Sequence, residues 1–177
     1  MSESKLPEPW LRGTLTEVAP VPRAVLHALE LAKEDLERWC GSLSDEELNA
    51  RPAEIAPVAF HLRHIARSID RLLTYAEGGQ LTGEQLGALK TELDPGASRS
   101  ELFAELNLAL DRSAARIRAI DPSRLAETRK VGKKELPTTV GGLLVQVADH
   151  TQRHVGQAVT TSKIVKDGSR SSASQTR

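Results

Sequence analysis

Four long stretches of this sequence repeat their apolar residues every three or four positions, a pattern that folds into amphipathic helices. The first runs from about Pro22, a residue suited to a first helical turn, to Cys40, with Gly41 as its stop. Val25, Leu29, Ala32, Leu36 and Trp39 form its stripe. The second runs from about Pro57 to Glu77, ahead of Gly78-Gly79, with Val58, Leu62, Ile65, Ile69, Leu72, Leu73 and Ala76 on one side. Ser98 and Glu101 make a capping box for the third, which carries Leu102, Leu106, Leu110, Ile117 and Ile120 before Asp121-Pro122. The fourth starts at Thr138 or Thr139 and continues to about Val165. Capping boxes at Ser44 and Thr82 predict two shorter helices.

Four such helices predict an all-α four-helix bundle over residues 21–165. An N-terminal extension, 1–20, precedes it. The tail, 166–177, has no apolar residue larger than one Ala and is expected to be disordered. The connection from Gly78 to Ala97 is long for a tight turn and predicts a crossover; Leu125 to Pro137 reads as a polar, basic loop. Composition agrees with helix: aromatics are only 3%, so Leu, Ala, Val and Ile must fill the core. The 177 residues fit one domain.

Charge and cysteine usage narrow the functional classes. Lys plus Arg and Asp plus Glu both number 24, and a neutral chain is a poor partner for nucleic acid. A lone cysteine, Cys40, cannot form an internal disulfide and fits a reducing cytoplasm. Met1 to Pro9 shows no signal-peptide core, and no run approaches the ~18 apolar residues of a membrane span. The expectation is a soluble cytoplasmic protein without a membrane partner.

The fourth helix holds the informative residues. Leu143, Val147, His150, His154, Ala158 and Thr161 fall in one narrow stripe, so two imidazoles occupy positions where the pattern asks for core residues. Histidines one turn apart point the same way and can share a metal ion. Buried without one, both would need hydrogen-bond partners for their polar edges. Two more histidines, His61 and His64, lie on the second helix. By wheel position His61 is nearer the apolar stripe, about 60° from its centre, and periodicity leans toward it as a third ligand.

Other residues receive plainer readings. His27 falls opposite the stripe of the first helix and is expected in solvent; Cys40 reads as a small buried hydrophobe. Arg63, Arg67 and Arg71 recur every four residues and read as a solvated face. Asp149 points away from His150, toward solvent. Gln146 and Gln157 flank the histidine face, and Tyr75 lies on the histidine side of its helix. Gly141-Gly142 lacks the surroundings of a phosphate loop and reads as a close helix–helix approach or as flexibility at a helix start.

The segments PVAFHLRHIA and ADHTQRHVGQ resemble the two signature segments of the DinB-like (DinB/YfiT) family: a histidine before a small apolar pair, then H-x-x-x-H followed by Gly-Gln. The resemblance extends from about Pro22 to Val165. It implies an up-down-down-up four-helix bundle with a long connection between the second and third helices. It also implies a three-histidine site for a divalent transition metal, zinc or nickel, with His64, His150 and His154 as ligands. His61 is an addition to that pattern, readable as a neighbour of the ligands, a proton carrier or a bystander. Many members of the family resemble transferases that use a low-molecular-weight thiol, and many form homodimers.

Two functional classes follow. The first is a metal-dependent enzyme, a thiol S-transferase or a hydrolase, acting on a small electrophilic molecule through an open metal position. The second is a non-catalytic metal-binding or stress-related dimeric bundle, whose site would be closed by a fourth side chain such as His61.

Overall fold

A computed structural model describes residues 6–175, with side chains described as far as Gly168. Six α-helices dominate: α1 (Pro20–Cys40), α2 (Asp45–Asn49), α3 (Val58–Ala76), α4 (Gly83–Lys90), α5 (Arg99–Ala119) and α6 (Val140–Gln175). The capping boxes act as the sequence predicts. At Ser44, Thr82 and Ser98 the hydroxyl accepts the backbone N–H three residues on, whose own side chain accepts the cap's N–H. Each satisfies two amide donors that a helix start otherwise leaves open.

The four long helices enclose the main hydrophobic core. α3 lies between α5 and α6, and α1 packs mainly on α6 and also on α5. Leu36, Leu62, Ile65, Ile69, Leu73, Leu106, Ile117 and Leu144 are all buried there. Each such side chain contributes about 1.5–3 kcal/mol when removed from water. The small helix α4 belongs to the connection between α3 and α5 and buries no side chain of its own. Among the described residues, no helix is long and apolar enough to cross a membrane.

Three expectations are corrected. The segment after α5 is not all loop: β1 (Thr128–Val131) pairs antiparallel with β2 (Leu136–Thr139). The hairpin turns through Gly132 and Glu135, both at positive φ. Its strands are short and mostly polar, and Arg129 ties them to the end of α3 by donating to the Ala76 carbonyl at 2.8 Å. Such strands carry no apolar alternation for periodicity to detect.

The tail expected to be unstructured from residue 166 instead continues α6 to Gln175, with residues 176 and 177 outside the described part. Extending an existing helix adds one hydrogen bond per residue fixed and needs no new nucleus. Lys166 helps hold the start of the extension, donating to the Trp39 carbonyl and the Ser42 hydroxyl, each at 3.1 Å.

His27, expected in solvent, is 7% exposed. The N-terminal extension covers it: Thr14 Oγ1 lies 3.2 Å from its Nε2, and Arg12 grips Glu34 of α1 with two hydrogen bonds of 2.6 and 2.8 Å. A helical wheel cannot see a cover supplied from outside its own helix. Residues 1–5 of that extension lie outside the described part.

Cys40 is fully buried, as expected, and burial pushes its thiol up to about 11, so it stays protonated and inert. The glycine pair opening α6 meets a close approach, but from the segment after α5 rather than from another helix. A Cβ on Gly141 would sit 3.1 Å from the Leu125 carbonyl oxygen, to which its own N–H donates at 2.8 Å. A side chain at Gly141 would therefore crowd the chain passing from α5.

Candidate metal centre

Two helices bring the histidines together. On α6, buried Val147, Thr151, Val155 and Ala158 fix the helix against the core, so His150 and His154 face α3 one turn apart. On α3, buried Leu62, Ile65 and Ile69 hold His61 and His64 toward α6. One ring nitrogen from each of His64, His150 and His154 lies within 4.8 Å of the others. The Nε2 atoms of His64 and His150 approach to 2.8 Å. The ring centroids of His64 and His154 are 4.3 Å apart, and those of His150 and His154 are 4.7 Å apart.

His61 stands beside this group. Its Nδ1 is 3.0 Å from Nδ1 of His154, and it is more deeply buried than the other three. α3 touches both α5 and α6, and its buried arc is wide enough to bring both His61, nearer the apolar stripe, and His64 toward α6. The geometric cluster is the one the family resemblance implies.

Burial lowers the affinity of these rings for a proton. It pushes His61 and His154 down to about 4, with His64 nearby adding to the effect, and it lowers His150 in the same way. His61, His150 and His154 are therefore neutral at pH 7, the form in which an imidazole nitrogen can ligate a metal.

The sequence did not announce Glu92. It lies in the connection after α4, is 5% exposed, and places Oε2 2.6 Å from Nδ1 of His64. Its other oxygen accepts from Arg71 of α3 at 2.8 Å. Burial alone would raise its pKa, but the hydrogen bonds from His64 and Arg71 prevail and hold it below the usual range. An ionised carboxylate only accepts hydrogen bonds, so Nδ1 of His64 donates to Glu92 and Nε2 is the atom turned toward the cluster. Phe60 closes another side, stacked on His64 at 5.2 Å with an interplanar angle of 23°. Phe60 adjoins His61 in the sequence, whereas nothing near Glu92 in the chain signals its role.

The arginine row of α3 is not the solvated face the spacing suggests. Arg63 donates to the Asp94 carbonyl. Arg67 reaches Glu105 at 2.6 Å, the Ala88 carbonyl at 2.7 Å and Thr91 Oγ1 at 2.9 Å, while Arg71 takes Glu92. All three clasp the connection onto α3. Asp149 is exposed as expected and pairs with Arg153 of the next turn.

Two clefts reach the histidines. A cleft of about 230 Å³ is lined by His64 and His150 together with Leu72, Tyr75, Leu81, Leu89 and Gln146. A wider one, about 800 Å³, has His61, Phe60, Arg153, Gln157 and Thr161 in its walls. Tyr75, Gln146 and Gln157 thus line the clefts, a role their wheel positions left open.

A mainly helical chain with three imidazoles gathered between two core helices fits a metal-binding protein. The chain belongs to the DinB superfamily, whose family model matches residues 28–158, a span that holds all four clustered histidines. It is also similar in fold to a crystal structure of a conserved protein from Enterococcus faecalis, with a TM-score of 0.69 and 19% identity. That match covers 84% of this chain and 99% of the other. No curated protein sequence matches it.

Proposed function

We propose that this protein is a metal-dependent enzyme that adds a thiol or water to a small electrophilic molecule at a site held by His64, His150 and His154. What supports this reading is the meeting of three imidazoles within 4.8 Å, with the ring of His64 oriented by a buried carboxylate. A divalent transition metal, zinc or nickel, would there acidify a bound thiol or water and supply a nucleophile at neutral pH. The donor set suits such an ion, because imidazole nitrogens are favoured by both metals.

The residues around the cluster supply the rest. The smaller cleft reaches His64 and His150 directly, and its apolar wall of Leu72, Leu81 and Leu89 takes the body of the substrate. Tyr75 and Gln146 can orient a polar group at its mouth. His61, in the wall of the wider cleft and 3.0 Å from His154, fixes that ring and can relay a proton from it. The helices would follow an up-down-down-up four-helix bundle, and the working form would be a cytoplasmic homodimer.

The test is metal analysis of protein purified without a histidine tag, followed by thiol consumption with a model electrophile. One zinc or nickel per chain, and thiol consumption that chelation abolishes, are the expected results. A second reading, a non-catalytic metal-binding or stress-related bundle, draws on the proximity of His61, which could close the site as a fourth ligand. A loaded protein whose metal exchanges no solvent or thiol ligand would favour that reading over the enzyme.

A further inference from the structure

Outside the three proposed ligands, Glu92 and the arginine row of α3 form an extensively bonded group around the site. Glu92 is a buried carboxylate on a connection that is otherwise largely exposed. Burying an ion is unfavourable unless it is paired and hydrogen-bonded, and here both oxygens are committed: one to His64 at 2.6 Å, one to Arg71 at 2.8 Å. Three arginines at four-residue spacing along α3 then fasten the same connection, to Asp94, to Ala88 and Thr91, and to Glu92 itself. Gln85 of α4 adds bonds to Asp70 at 2.5 Å and Thr74 at 2.8 Å. So much polar fastening on a connection whose helix buries no apolar side chain requires a reason.

We infer that Glu92 is a positioning residue for the metal centre, and that the arginine row of α3 exists to deliver it to Nδ1 of His64. Held there, Glu92 fixes the ring tautomer with Nε2 toward His150 and His154 and makes that nitrogen a stronger donor. The connection between α3 and α5 thereby becomes part of the site: loosening the arginine clasp withdraws the carboxylate and frees the His64 ring. This rests on the metal reading above and extends it to a residue and a segment outside the three ligands.

The experiment compares Zn²⁺ affinity, by competition with a chromophoric chelator, and the Co²⁺ absorption spectrum. It uses the full-length wild type, E92Q, H64A and the H64A/E92Q double variant. E92Q keeps the shape of the side chain and is expected to weaken Zn²⁺ binding about 10–100-fold and to shift the Co²⁺ bands. In the H64A background the same change should cost nothing further, since Glu92 acts only through that ring. An E92Q variant that binds as the wild type does, or a loss that persists unchanged without His64, would overturn the assignment.

A second measurement does not depend on any variant of Glu92 folding. In ¹⁵N-histidine spectra of the metal-free wild type, one ring should be fixed as the Nδ1–H tautomer, and H64A should remove that signal. A His64 ring found as the Nε2–H tautomer, or averaging between the two, overturns the inference. If the wild type binds no Zn²⁺, both readings fall. If binding depends on His150 and His154 but not on Glu92, only the positioning role falls.

Discussion

At the scale of single residues, burial and chemistry divide the five histidines into three roles. His64, His150 and His154 offer nitrogens to one point, His61 braces His154, and His27 pins the N-terminal extension to α1. Substituting any of the first three by Ala should strongly reduce zinc or nickel binding, measured by equilibrium dialysis. H61A should weaken it by about 10–100-fold, because it removes a group acting through a ligand rather than a ligand. Dialysis showing the reverse order for His61 and His64 would put the ligand where the wheel placed it. H27A should leave binding intact but lower stability by about 1–3 kcal/mol in urea unfolding, since it opens a cavity under the N-terminal extension and removes the contact with Thr14. Much of this was legible: a histidine pair interrupting an apolar stripe is a local signal, readable from one helix. Glu92 was not legible, because its partner is 28 positions away and its own neighbours, Thr91 and Leu93, are exposed. His27 was misread for a related reason, since the segment that covers it obeys no period.

At the scale of elements, the long helices could be read from the sequence because each carries its own burial pattern and its own stop signals. The hairpin and the docking of the connection could not, because polar contacts between distant segments leave no periodic trace. The same distinction separates two glycines of α6. Gly141 lies under the chain leaving α5, so G141A would press a Cβ against the Leu125 carbonyl and break the close approach. Gly156 has open space around its Cβ position, in the middle of the same helix. G156A should therefore stabilise the protein by about 0.5–1 kcal/mol, through helix propensity alone, while G141A destabilises it. Parallel thermal melts decide the matter, and equal effects of the two substitutions would contradict this account of the helix start. For the end of α6, the last buried apolar residue among the described side chains is Val165, and Lys166 makes side-chain bonds back to α1 and the turn after it. Deleting 168–177 should leave the melting temperature nearly unchanged despite the helical backbone. Deleting from Val165 onward should lower it, since that cut removes a buried side chain and both bonds of Lys166.

At the scale of the whole molecule, the histidine cluster ties together α3 and α6, a pair that shares one of the most extensive helix contacts in the fold. Without a bound ion, the cluster is a polar defect in that contact. Three or four desolvated imidazoles occupy space that leucines elsewhere fill, and their hydrogen bonds to one another only partly offset the loss of water. A metal ion that binds the folded arrangement and not the unfolded chain shifts the equilibrium by RT ln(1 + [M]/Kd), about 2.7 kcal/mol at a hundredfold excess over Kd. For a domain of this size that corresponds to a rise of about 5–10 °C in melting temperature. Calorimetry of chelator-treated protein against protein refilled with zinc should show this rise, and H150A should abolish it while melting near the chelated wild type. Because the shift follows the logarithm of free metal, a titration should give a steady increase rather than a plateau at one equivalent. A melting temperature indifferent to metal would mean that the imidazoles are satisfied by one another, and that the α3–α6 contact needs no ion to be complete.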